Sequence, residues 1–201
     1  MIKRNLLVMG LAVLLSACGF QLRGTGTTEL AIKELDLSAR NAYGETVTQL
    51  RQVLESSGVK VYSGAPYKLV LTDEQESQRI LSYAGAGRTG EYQVTTVLNY
   101  DIRGGRDLSL LSDKLEVQKV FMHDGNNLVG SDQEGNDARK DTRRELVQRM
   151  MLRLQQITPA QLDQLQQTAE ARAKAEADTL EAAQKAEANT PRQSPIQLPQ
   201  Q

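Results

Sequence analysis

The sequence predicts an α+β fold in which two helices pack on one face of a mostly antiparallel sheet, followed by a polar C-terminal tail. Three observations predict it. From Glu91 to Arg103, Tyr92, Val94, Thr96, Leu98, Tyr100 and Ile102 alternate with Gln93, Thr95, Val97, Asn99, Asp101 and Arg103. A sustained period of two is the pattern of a long, half-buried strand. Val47, Leu50, Val53 and Leu54 recur at helical spacing, and so do Leu146, Val147, Met150, Met151, Leu154 and Ile157, each set forming an apolar stripe of the kind a helix lays on a sheet.

Taken from the N-terminus, the chain opens with Lys3 and Arg4, an uncharged apolar run from Leu6 to Leu15, and then Leu15-Ser16-Ala17-Cys18. A basic start, a short apolar stretch and small residues before a cut make residues 1–17 a secretory signal. The run is shorter than the about 20 residues a spanning helix needs. Leu-Ser-Ala-Cys resembles the bacterial lipobox, which implies cleavage before Cys18, a diacylglyceryl group on its sulfur and an acyl group (palmitate or similar) on its new amine. A thiolate is the right nucleophile for accepting the lipid, and several chains on one residue hold a membrane where one would not. Gly19 follows the cysteine where Asp does not, which by resemblance to the sorting rule of enteric lipoproteins favours the outer membrane.

Residues 18–158 are read as the folded domain. Leu30 to Leu37 reads as the first strand. The helix over Val47 to Leu54 follows, with Gly58 where a C-cap belongs. Val59 to Tyr62 is a short strand, and Pro66 starts another with Tyr67, Leu69 and Leu71 on one side. Arg79 to Tyr83 leads into Ala84-Gly85-Ala86-Gly87-Arg88-Thr89-Gly90, a hairpin turn or mobile loop before the long strand. Gly104-Gly105 makes a second turn, and Leu110 to Phe121 returns as a strand with Leu115, Val117 and Phe121 on one side. His123 to Asn136, rich in Gly, Asn and Asp, reads as a polar loop before the last amphipathic helix. Composition changes at Thr158-Pro159. Residues 159–201 are rich in Ala and Gln and lack aromatics, Leu180 is the one large apolar residue between Ala169 and Ala188, and three prolines follow Thr190. That is a polar helix or disordered tail.

Composition excludes several functions. Lys and Arg total 24 against 25 Asp and Glu, a net charge of −1, whereas a nucleic-acid binder is usually basic. One Cys and one His leave no intrachain disulfide and no Cys/His metal cluster. His123 has no nucleophile arrangement around it, Glu74 and Glu76 read as turn charges, and the Gly-x-Gly-x-x-Gly in Gly85 to Gly90 does not lead a strand into a helix as dinucleotide binding requires. No catalytic residue, cofactor or metal site is expected, and the chain is read as a non-enzyme.

Cys18-Gly19-Phe20-Gln21-Leu22-Arg23, Thr89-Gly90-Glu91-Tyr92-Gln93 and the order strand, helix, strands, helix together resemble the LPS-assembly lipoprotein E family, over roughly Cys18 to Ile157. The resemblance implies two helices on a four-stranded sheet. It also implies an outer-membrane lipoprotein, anchored on the periplasmic side, that plugs a lipopolysaccharide translocon β-barrel, assists its assembly and binds lipopolysaccharide through basic residues near one end of the sheet. Phosphate recognition needs Arg or Lys on an exposed tip, which singles out Arg88; Arg79, Lys114 and Lys119 rank behind it. Around Ser131 and Asp132, where the family's second basic contact lies, this chain has no Lys. Gln93, Thr95, Asn99 and Asp101 suit a polar barrel lumen. The alternative is a lipoprotein adaptor of another envelope machine, such as barrel assembly or a secretin pilot.

Overall fold

The structure is a computed structural model and describes residues 30–84 and 89–189. Its elements are β1 (Glu34–Ala39), α1 (Glu45–Ser56), β2 (Lys60–Val61), β3 (Lys68–Ala84), β4 (Thr89–Arg103), β5 (Ser109–Asp124), α2 (Leu128–Gln155) and α3 (Pro159–Asn189). The sheet order is β2-β1-β3-β4-β5. Strands β3, β4 and β5 pair antiparallel, while β1 runs parallel to both β2 and β3. The mixed sandwich expected from periodicity is present, but with five strands rather than four and three helices rather than two among the described residues.

The long strand behaves as its alternation dictates. Val94, Thr96, Leu98, Tyr100 and Ile102 are buried on the helix side, while Thr95, Val97, Asn99 and Asp101 stay half-exposed on the other. Helices α1 and α2 cover the inner side with Leu50, Leu54, Leu146, Met150 and Leu154, all in one core with Leu69 and Leu71 of β3. Complete burial of such a side chain stabilises by about 1.5–3 kcal/mol. Gly58, at φ 81°, stops α1, and the N–H groups of Ser57 and Gly58 cap its last carbonyls. Inside the core Thr96 Oγ1 bonds Thr142 Oγ1 at 3.1 Å, and Thr142 in turn donates to the Arg139 carbonyl, so two buried hydroxyls satisfy each other.

Three segments differ from expectation. Leu30 and Ile32 are buried but precede β1, which pairs only from Glu34. Strand β3 is continuous through Glu74, Glu76 and Arg79, so the two glutamates are strand residues and not turn charges. The polar loop shrinks to a short turn: His123 belongs to β5, and α2 begins at Leu128 with the Asn127 side chain accepting from Gly130 N–H at 3.1 Å. Packing overrides composition there, because Ala138 joins a small second core with Val94, Phe121 and Tyr92, and the missing side chain of Gly135 lets the Phe121 ring approach the helix.

The third helix docks by its first turns only. Leu162 is completely buried and Leu165 and Ala169 pack beside it. Tyr67 Oη donates to Asp163 at 2.6 Å, Gln166 reaches the Gly105 carbonyl at 3.4 Å, and Arg106 meets Glu170 at 3.0 Å. Gly104 sits tightly at this junction, since a Cβ there would push aside the ends of the Leu110 and Gln166 side chains. Beyond Ala177 every side chain of the helix is exposed. Leu162→Ala should therefore lower the unfolding free energy by about 2–5 kcal/mol, and Leu180→Ala should change it by no more than about 0.5 kcal/mol, in equilibrium urea unfolding. The Asp163 carboxylate, aided by burial, pushes the Tyr67 phenol up from 10.0 to about 12. A raised folded pKa means that this tie is fully present below pH 10.0 and is lost as pH rises through about 12. An absorbance titration of Asp163→Ala should accordingly lose one late-ionising tyrosine.

Candidate functional site

Residues of β3, β4 and β5 that share the side of the sheet away from α1 and α2 form a polar strip. Register places Arg79, Gln93 and Val120 abreast, then Ser77, Thr95 and Gln118, then Gln75, Val97 and Glu116. Arg79 Nε donates to Gln93 Oε1 at 2.7 Å, the Gln93 amide donates to the Gln118 carbonyl oxygen, and Gln118 Nε2 donates to Glu116 at 2.6 Å. This relay crosses all three strands and explains why Gln93, on the polar side, is nonetheless buried. Ser82 closes the next rung by donating to Glu91 at 3.1 Å.

Cations on the helix side are committed to the fold. Arg139 bridges Glu76 at 2.8 Å and also donates to Gln78, Arg143 reaches Glu45 at 2.7 Å, Arg149 reaches Glu145 at 2.6 Å and Arg153 reaches Asp113 at 2.7 Å. The Lys114 backbone N–H, with Arg153, holds the Asp113 carboxyl below its ordinary value. Exposed pairs of this type stabilise by roughly 0–1 kcal/mol each, so their larger effect is to leave these cations neutralised. Among the sequence candidates, Lys119 lies on that side and pairs with Asp141 at 3.3 Å. Arg79 is different, because its partner Gln93 is neutral and its full charge remains. The Lys114 side chain has no partner among the described residues. Arg79 and Lys114 share the open face, but their β4 partners, Gln93 and Asn99, lie six positions apart, roughly 20 Å along a strand. The structure does not bring them into one cluster. Cys18 and Arg88 lie outside the described residues.

The end of the β3–β4 hairpin carries a feature the sequence reading missed. Ile80, Tyr83, Val120, Met122, Leu128 and Val129 are all exposed, Tyr83 by 63% and Val129 by 83%. Ile80 and Tyr83 register with the helix side of β4, whereas Val120 and Met122 register with the open side. Both faces of the sheet are thus apolar near the end of β3 and the start of β4. A signal was present: Lys114, Glu116 and Gln118 set a polar alternation along β5 that Val120 and Met122 break. His123 sits beside this end with its ring 4.8 Å from that of Tyr92. Among the described residues there is no group of acids, His or Cys that could hold a metal, and no helix long and apolar enough to cross a membrane.

Comparison with known proteins bears on this geometry. The chain is 30% identical over 161 residues to the LPS-assembly lipoprotein LptE of Pectobacterium atrosepticum, covering 77% of this chain and 86% of that one. It is 26% identical to the protein of the same name from Yersinia enterocolitica, over 78% of each. These relatives are named as assembly lipoproteins, not enzymes. Two solved structures share the fold. Rare lipoprotein B from Shewanella oneidensis superposes with a TM-score of 0.54 at 20% identity, covering 60% of this chain and 92% of that one. Lipoprotein B from Nitrosomonas europaea superposes at 0.56 and 19% identity, covering 69% and 90%. The family model described as LptE, lipopolysaccharide-assembly, matches residues 32–154, from the buried Ile32 to the last core residue of α2, and the chain accordingly belongs to that family.

Proposed function

We propose that this chain is a lipid-anchored component of lipopolysaccharide assembly in the outer membrane, acting by contact with a translocon β-barrel and with lipopolysaccharide itself. Family membership over the whole sandwich is the observation that carries the reading, since the relatives it matches are named for LPS assembly. Cys18 is the proposed anchor, carrying the diacylglyceryl and N-acyl groups. The open strip of Gln93, Thr95, Asn99 and Asp101 is the surface proposed to face the polar barrel lumen, where hydrogen-bonding groups can take the place of water.

Lipopolysaccharide combines phosphates with acyl chains, and the hairpin end offers partners for both. Arg88, in the segment between β3 and β4, is the proposed phosphate contact, and Arg79 is the second candidate. Ile80, Tyr83, Val120 and Met122 supply apolar surface within the same end of the sheet. A binding role of this kind requires no bond to be broken, in keeping with relatives named as assembly lipoproteins.

Purification of the full-length lipoprotein from envelopes in mild detergent tests the reading. A stoichiometric lipopolysaccharide-export barrel and an acylated Cys18 are expected. Recovery of a barrel-assembly or secretin machine in its place, or of an unprocessed precursor, overturns it. For the turn, Arg88→Glu should weaken lipopolysaccharide binding by roughly tenfold or more, as loss of a charge-assisted hydrogen bond does. Equilibrium binding to the purified protein is the check, and unchanged affinity rejects the role.

A further inference from the structure

The side-chain relay on the open side of the sheet can run in one direction only. At its β5 end the Glu116 carboxylate accepts hydrogen bonds and cannot donate them, and at its β3 end the Arg79 guanidinium donates and cannot accept. Gln118 therefore turns Nε2 to Glu116, at 2.6 Å, and its carbonyl oxygen to Gln93. Gln93 in turn directs its amide nitrogen to Gln118 and its Oε1 to Arg79 Nε, at 2.7 Å. Gln93 is 5% exposed, so the acceptor that Arg79 meets is held in place by the sheet. This bond uses the single Nε–H. Arg79 itself is exposed, and nothing among the described residues meets its Nη1 and Nη2 groups.

We propose that Arg79 binds an oxyanion on the open face, a phosphate of lipopolysaccharide, and that Gln93 is its positioning residue; this rests on the lipopolysaccharide-binding reading above. A guanidinium tied through Nε keeps its end-on fork of two Nη groups, which can grip a phosphate with two parallel hydrogen bonds. Arg139 and Arg153 on the helix side have committed that capacity to Glu76 and Asp113. Gln93 orients the guanidinium without neutralising it, which a carboxylate at this position could not do. Glu116 lies two strands and four residues away, roughly 17 Å at sheet spacings, about two screening lengths at physiological salt. Glu91, one rung nearer the hairpin end, accepts from Ser82 and forms no ion pair with Arg79. On the opposite rung Ser77 and Thr95 stand abreast, and their hydroxyls have no partner among the described residues, so both can donate to the same anion. Val120 shares the rung of Arg79 and Gln93, with Met122 next to it on the same side, and they are 49% and 46% exposed. Apolar surface this close to the fork fits a phosphate that carries acyl chains rather than a free one.

The test is equilibrium binding of the full-length protein to lipopolysaccharide and to the same lipopolysaccharide stripped of its phosphates. The ratio of the two affinities is the readout, and the stripped ligand reports whether each variant is folded. The wild type should prefer the phosphorylated form. Arg79→Gln should cut that preference about tenfold or more, as loss of a charge-assisted fork does, with affinity for the stripped form unchanged. Arg79→Lys, which keeps the charge and loses the fork, should recover only part of it. Gln93→Leu should lower the preference at least about threefold while Arg79 is intact. Lys114→Gln removes an equal charge from the same face, roughly 20 Å away, and should leave the ratio within about twofold. A preference unchanged in Arg79→Gln overturns the proposal, and so does a loss of affinity for both ligands alike, or an equal effect of Lys114→Gln. Full preference in Gln93→Leu overturns the positioning role. A wild type that binds both forms equally overturns this site and leaves lipopolysaccharide binding standing, whereas one that binds neither overturns both.

Discussion

Burial of one side of β4 under α2 is the constraint on which the rest of the molecule depends. Leu98, Tyr100 and Ile102 pack under the helix stripe of Leu146, Met150 and Leu154, and Val94 packs against Ala138; a one-residue slip would exchange these buried side chains for Gln93, Thr95, Asn99 and Asp101. The register of β3 and β5 is fixed by the same requirement, since both pair with β4 along nearly its whole length. With one face dry, the other is free to be polar over most of its length, and the side-chain relay from Arg79 to Glu116 occupies it.

Charge is distributed by the same logic. Acids and bases around α2 neutralise each other in short local pairs, so they give the helix side little long-range field. The open side retains Arg79 and Lys114 beside neutral amides. A molecule that approaches this sheet meets hydrogen-bonding groups first and apolar groups only near the hairpin end. That gradient suits an amphiphile better than it suits a small polar substrate.

Much of this was legible in the sequence. The period of two in β4 and the stripes of α1 and α2 follow directly from burial, and Gly58 marked the end of α1 because only the left-handed conformation completes that cap. What was illegible depends on tertiary contacts. Residues 128–136 look like a loop, yet Phe121 and Ala138 draw them into a helix. The short strand over Val59 to Tyr62 was legible, but its parallel pairing with β1 was not. Pro159 reads as a boundary, but Leu162, three residues on, is core with Leu165 and Ala169 beside it, a stripe too short to stand out against the Ala- and Gln-rich run that follows. At the candidate site, Arg79 and Lys114 could be named from charge alone, whereas the neutral partner of one and the isolation of the other required coordinates. The exposed apolar end was missed because Ile80 and Tyr83 lie on a different strand from Val120 and Met122.

The parallel pairing of β1 with β3 has a consequence for how the chain comes to be folded. Two strands that run the same way must be joined by a crossover, here through α1, and the sheet they build stays uncovered until α2, the later of its two covering helices, has arrived. A chain delivered N-terminus first therefore holds its apolar strands open to solvent while the remainder is still being released. Such non-local topologies close slowly and expose sticky intermediates. The molecule is vulnerable to aggregation chiefly in that interval, and a chaperone that shields emerging strands would act there rather than on the finished sandwich.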